Sequence, residues 1–270
     1  MQIRCLAIFL IYVLVFLPNL AQATPNAEAI RETIKAQVTI NTTCTLTVLS
    51  ATGEVLLKVP SGGKGNGWFV EHNLSKHIVV TAGHVVDCSP TEKNLERIKN
   101  NFSNVAVAAI ISDAAISVVY QNKEYAAKVL KFSFGGNKPD YAVLLNVNMS
   151  DAVPHYRLPT LIEEGAYGVG DEVLISGLMP FDERFDGRWE PYLKKVLIAK
   201  LDDQTIQFSE DIYKGMSGAS VLFYNQGKYR AIGILIIGGF IDSAGTIPFD
   251  FAIATRLKKE FFELDQATPK

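Results

Sequence analysis

Residues 213–221 read Tyr213-Lys214-Gly215-Met216-Ser217-Gly218-Ala219-Ser220-Val221. A serine between two glycines, running into an apolar stretch, has the ingredients of an activated nucleophile. The first glycine lets a backbone N–H approach a reacting oxygen, the hydroxyl is uncrowded, and the following strand fixes both. An ordinary turn has the same pattern, so the stretch acquires meaning only from partners elsewhere in the chain.

Two such partners lie upstream. In Thr81-Ala82-Gly83-His84-Val85-Val86 a histidine stands on a small-residue turn at the end of the apolar run 78–81, where its ring can point into a cleft. His72 and His77 sit on a polar turn and read as solvated, and His155 falls in a linker, which leaves His84 as the general-base candidate. The competing reading is a structural histidine capping its own turn. Asp140 opens the apolar run Tyr141-Ala142-Val143-Leu144-Leu145. It is either the polar end of a strand or a carboxylate held at a barrel mouth to orient a histidine.

The first 23 residues read as a secretory signal peptide. Arg4 supplies the charge, residues 5–17 the apolar core, and Ala21-Gln22-Ala23 the small-residue cleavage pattern. A retained membrane anchor is the alternative, but a run of about 13 apolar residues falls short of the ~20 that span a bilayer. The chain is thus expected to be exported, to a periplasm or the cell exterior, with no membrane anchor after cleavage. The formal net charge of −2 becomes one unit more negative when Arg4 leaves, and no basic block remains to recruit nucleic acid or an anionic membrane. Of three cysteines, Cys5 departs with the signal. Cys44 and Cys88 then either form a disulfide, as export favours, or stay as two buried thiols. Zinc-like ligand spacing is absent, so no metal is expected.

Strand signals dominate the rest. The period turns to two from Val38, with a hairpin over 45–59 turning at Ala51-Thr52-Gly53-Glu54. Ser61-Gly62-Gly63-Lys64-Gly65-Asn66-Gly67 reads as a glycine-rich loop; it fails the P-loop spacing and lacks the companion motifs of penicillin-binding enzymes. Further strands are expected at 68–71, 78–81, 105–119, 123–130, 140–147, 169–177, 194–201, 205–209, 219–224, 229–237 and 247–254. Short helices fit 24–35 and 90–104, and an amphipathic helix closes the chain at 256–264. The expected organisation is an antiparallel β protein in two halves: a lead-in at 24–37, a first half over 38–147, a proline-containing linker at 148–160, and a second half with its closing helix over 161–270.

The order His84, Asp140, Ser217 differs from the Ser-acid-His order of α/β-hydrolases and from the aspartate-first order of subtilisins. At these residues the chain resembles the trypsin-like serine proteases, most closely the bacterial HtrA (Deg-type) branch. Gly65-x-Gly67-Trp68-Phe69-Val70, Thr81-Ala82-Gly83-His84-Val85-Val86, Asp140-Tyr141-Ala142-Val143-Leu144, Val169-Gly170-Asp171-x-Val173 and Ile212-x-x-Gly215-x-Ser217-Gly218 are similar to that family's motifs, in the same order. Ala231-Ile232-Gly233-Ile234 and Phe251-Ala252-Ile253-Ala254 are similar to its last strands.

The resemblance implies an all-β protein of two antiparallel six-stranded barrels with the site between them. It implies a serine endopeptidase that acts on protein or peptide substrates and needs no cofactor. Ser217 would attack, His84 would carry the proton, Asp140 would hold the imidazole, and the N–H groups of Gly215 and Ser217 would form the oxyanion hole. Asp211 and Ile212 would border the primary specificity pocket, with a lean toward apolar or small side chains. The departures are Met216, where digestive members carry an aspartate that pairs with a freshly cut N-terminus, and Ala219-Ser220 after the serine. An enlarged segment between His84 and Asp140, and a chain end too close for a PDZ domain, complete the list. Blocked geometry in those enlarged loops would instead make the chain a catalytically inactive binding protein on the same fold.

Overall fold

A computed structural model describes residues 27–72, 77–90, 92–102, 107–150, 156–163, 165–180, 189–213, 215–238 and 252–263. The expected signal peptide, His155 and the centre of the loop after β7 lie outside them. The first barrel is built from β1 (Gln37–Ser50), β2 (Val55–Phe69), β3 (Ile78–Thr81), β4 (Val107–Tyr120), β5 (Lys123–Ser133) and β6 (Tyr141–Asn146). The second is built from β7 (Glu172–Pro180), β8 (Trp189–Leu201), β9 (Thr205–Phe208), β10 (Ser220–Asn225), β11 (Lys228–Gly238) and β12 (Ala252–Arg256). Each set closes on itself, in the orders β1-β2-β3-β6-β5-β4 and β10-β11-β12-β9-β8-β7, with every pairing antiparallel. Closure removes the unpaired strand edges that an open sheet would present. This is the chymotrypsin-like architecture, and it agrees with the fold class read from the sequence.

Alternation explains the strands. In β1, Val38, Ile40, Leu46 and Val48 point into the barrel and are almost fully buried, while Asn41, Thr43 and Thr45 face outward. Gln226 and Gly227 both take positive φ, 50° and 82°, which is what a two-residue hairpin between β10 and β11 requires.

Three expectations need correction. The glycine-rich stretch 61–67 is no loop; it is the second half of β2, paired residue for residue with β1 from Ser61↔Cys44 to Gly67↔Val38. Small side chains hide the alternation there, but the ladder with β1 supplies the hydrogen bonds. The closing helix spans only Lys259–Phe262 (α4), because β12 runs on to Arg256, whose N–H donates to Gln204 O at 2.8 Å. His72 and His77 are both half-buried, not solvated, with His72 Nε2 3.1 Å from Phe262 O. The lead-in helix exists as α1 (Ala27–Lys35), and the expected 90–104 helix as α3 (Glu92–Asn101).

The barrels share packing. Leu174, Leu222, Tyr229, Ala231 and Ile234 of the second barrel join the apolar cluster centred on Trp68, Phe69 and Leu144 of the first. The connecting chain is hydrogen-bonded to both: Leu158 N–H donates to Phe69 O at 2.9 Å and Leu161 N–H to Ala231 O at 2.8 Å. Gln37 Nε2 donates to Ser220 Oγ at 3.0 Å across the interface, and Phe261 of α4 stacks on Tyr141 at 3.8 Å. One rigid wall of each barrel thus faces the other, and the loops carrying His84, Asp140 and Ser217 open there.

Candidate active site

His84 lies in α2 (Gly83–Val86), one turn that leaves the end of β3. A Cβ on Gly83 would overlap the carbonyl oxygen of Ser133 and stand 2.9 Å from Asp140 Oδ1, so only glycine lets the carboxylate come this close. Asp140 uses both oxygens on one residue. Oδ1 accepts the backbone N–H of His84 at 3.0 Å, and Oδ2 lies 2.6 Å from Nδ1 of its ring. A carboxylate facing Nδ1 calls for a proton there, so in the neutral ring the lone pair is on Nε2. Asp140 is only 9% exposed, and Thr255 of β12 brackets its backbone, accepting from its N–H at 3.2 Å and donating to its carbonyl at 2.9 Å. Asp140 thus stands just before β6 with its carboxylate on both the ring and the backbone of His84.

Further ties hold the histidine turn to the first barrel. Thr42 Oγ1 donates to Val85 O at 2.8 Å, and Cys88, four residues beyond His84, is bonded to Cys44 of β1. The disulfide reading of the two cysteines is therefore the one realised. Phe134, 42% exposed at the end of β5, sets its ring 5.9 Å from that of His84.

The serine turn is anchored differently. Ile212, Met216 and Ala219 are buried in the core of the second barrel, so apolar side chains fasten the turn on both sides of Ser217. Gly215 and Gly218 take φ of +92° and +88°, a region that costs other residues dearly. A Cβ on Gly218 would also overlap the carbonyl oxygen of Asn66. Ser217 O accepts the N–H of Asn66 at 2.7 Å, tying the turn to β2. A Cβ on Gly65 would stand 2.6 Å from Val85 Cγ2 and 3.2 Å from Ser217 O, so β2 runs with no side chain between the histidine turn and the serine turn.

Among the described residues, the N–H groups of Gly215 and Ser217 have no acceptor. The Ser217 hydroxyl donates not to His84 but to Ile236 O, at 3.2 Å. Ile236 is the residue skipped where β11 bulges between Leu235 and Ile237, which is why its carbonyl is spare. A cavity of about 600 Å³ adjoins Asp140 and Ile236, bounded by the 136–139 loop on one barrel and the Asp202–Thr205 turn on the other. The Thr205 hydroxyl, before any other group, holds the Asp202 carboxyl below its usual range.

Of the sequence candidates, His84 and Asp140 are in direct contact, and Ser217 lies across β2 from them. Asp211 is exposed, with Oδ1 accepting the Ile212 N–H at 2.7 Å, and Ile212 packs into the second core. Asn66, Thr255 and Ile236 belong to the same constellation, and sequence reasoning passed over all three. A polar residue between two glycines was the only signal for Asn66. Nothing local marks a carbonyl freed by a bulge.

No protein-family profile matches this chain, and no curated protein matches it by sequence. Solved structures do. The active form of the Rv3671c protease from M. tuberculosis superposes with a TM-score of 0.50 over 87% of this chain and 83% of that one, at 16% identity. The protease Anisep from Arthrobacter nicotinovorans superposes with a TM-score of 0.50 over 83% of this chain and 90% of that one, at 13% identity. Such identities speak to architecture alone, and the architecture is that of the chymotrypsin-fold serine proteases.

Proposed function

We propose that this chain is a serine endopeptidase that hydrolyses peptide bonds through an acyl-enzyme. The observation that carries the reading is the pair of bonds from His84 to Asp140, 2.6 Å at the ring and 3.0 Å at the backbone, beside the turn that presents Ser217. The Ser217 hydroxyl turns from Ile236 O toward His84 Nε2 and gives up its proton as Oγ attacks the carbonyl carbon of the substrate. The N–H groups of Gly215 and Ser217 receive the oxyanion, each donor worth about 3–4 kcal/mol of barrier. His84, now protonated and held by Asp140, passes its proton to the leaving amine. Water then enters, His84 takes a proton from it, the hydroxide attacks the acyl carbon, and Ser217 leaves with the proton returned.

Met216, buried and apolar, leaves no charge to await a new N-terminus, so activation by N-terminal insertion is not part of this reading. The resemblance of its motifs supports reading the chain as HtrA-like, working after export in a periplasm or outside the cell on protein or peptide substrates. A disulfide joins Cys44 and Cys88, and no helix among the described residues is long and apolar enough to cross a membrane; both are compatible with export. A primary pocket bordered by Asp211 and the buried Ile212 is read as favouring an apolar or small side chain, since Ile212 lines it with an apolar surface and one Asp211 oxygen accepts the Ile212 N–H.

A second reading, a protease-fold binding protein without catalysis, draws on the Ser217 hydroxyl resting on Ile236 O. A fluorophosphonate probe separates the two. The protease labels, and Ser217→Ala abolishes labelling and lowers kcat by about 10⁶-fold. Folded wild-type protein that never labels identifies the binding protein.

A further inference from the structure

Asn66 is fully buried between the two barrels, and every polar group it has is used. Its N–H donates to Ser217 O at 2.7 Å, and its carbonyl accepts the Thr81 hydroxyl at 2.6 Å. In the side chain, Nδ2 donates to Gly215 O at 2.9 Å and Oδ1 accepts the N–H of Leu178 at 2.5 Å. The amide cannot be turned round, since a carbonyl lies on one side and an N–H on the other. Room for it is made by glycine: a Cβ on Gly177 would stand 3.0 Å from Asn66 Oδ1, and one on Gly218 would overlap Asn66 O.

Two of these four bonds land on peptide planes next to candidate oxyanion donors. The Asn66 side chain holds the carbonyl of Gly215, and its backbone holds the carbonyl of Ser217. The two N–H groups that would meet the oxyanion are those same two residues' own. Gly215, at φ +92° with no side chain, is the residue whose flanking peptides turn most easily. A donor bonded to its carbonyl removes that freedom.

We propose that Asn66 is a positioning residue for the oxyanion site: its side-chain amide, braced by β7 at Leu178, holds the Gly215–Met216 peptide so that the Gly215 and Ser217 N–H groups stay aimed at the reacting carbonyl. This rests on Ser217 being the nucleophile. Asn66 does not touch substrate. It acts on orientation, so its loss weakens the tetrahedral state more than initial binding.

The test measures fluorophosphonate labelling, resolved into the half-saturating probe concentration and the maximal rate, for wild type, Asn66→Asp and Asn66→Ala, with Tm alongside. Asn66→Asp keeps an acceptor for Leu178 but sets a carboxylate against Gly215 O; Asn66→Ala removes both contacts. The maximal rate is expected to fall about 10- to 100-fold in each, with half-saturation within about threefold. Unchanged rates in folded variants, even with a lowered Tm, overturn the proposal. If neither variant folds, the crystal structure of the wild-type adduct decides: Asn66 Nδ2 still on Gly215 O with the phosphoryl oxygen on the Gly215 and Ser217 N–H groups supports it, and a broken bond overturns it. Wild type that does not label defeats the protease reading itself, which is a different result.

Discussion

The two halves of the site are built to different standards of rigidity. On the first barrel, His84 is held at two points by one carboxylate, its turn is pinned to β1 by Thr42, and a disulfide lies four residues on. On the second barrel, Ser217 sits on a turn kept in place by buried apolar side chains and two glycines at positive φ, and its hydroxyl rests on a spare carbonyl. The carboxylate fixes the orientation of the His84 ring. In the proposed mechanism the Ser217 hydroxyl leaves that carbonyl by a side-chain rotation, a motion among staggered wells. The contrast has a physical origin: a charge-assisted pair at 2.6 Å is strong enough to hold itself, while a lone hydroxyl takes whichever acceptor is nearest.

The largest effect expected from this contrast comes from Asp140→Asn. It keeps the shape but offers an N–H where Nδ1–H needs an acceptor, so the ring turns to the wrong tautomer. We expect kcat to fall about 10⁴-fold with Tm little changed, by analogy with the same change in a protease triad. A fall below tenfold would mean the histidine half is not prearranged as described. Gly218→Ala comes next and attacks the serine half. A left-handed φ and an overlap with Asn66 O together cost about 2–5 kcal/mol, read as a lowered urea midpoint with labelling reduced in the folded fraction. A neutral result would show that the turn is softer than its contacts imply.

The smallest effect on chemistry is expected from Cys44→Ala combined with Cys88→Ala. The bridge closes a loop with a sequence separation of 44, and the chain-entropy model assigns it about 4 kcal/mol of stability. Thr42 and Asp140 still hold the histidine turn, so labelling at 25 °C should stay within about twofold while the denaturation midpoint drops. Labelling lost in step with stability would move the bridge from the fold into the site.

Strands with clean alternation were legible in the sequence, and so were the three candidate residues, because each carries a local signature: a small-residue turn after an apolar run, a carboxylate before one, a serine between glycines. The half of β2 between Ser61 and Gly67 was not legible. A glycine-rich strand has no side-chain pattern, and its partner, β1, forms the ladder across a turn at residue 53. The end of β12 was misplaced because the partners that extend it through Arg256, Gly233 of β11 and Gln204, lie elsewhere in the chain.

By itself, then, the chain's order of residues determined most of the strand segments, a β protein in two halves, and that a histidine, an aspartate and a serine follow one another in that order. Folding alone decided that Asp140 meets His84 across 56 positions, that Asn66 reaches Gly215 across 149, and that the Ser217 hydroxyl rests on Ile236. Alternation and turn chemistry are properties of neighbours along the chain. A hydrogen bond between distant groups exists only once barrel closure has fixed both ends, and no local pattern encodes where a bulge will free a carbonyl.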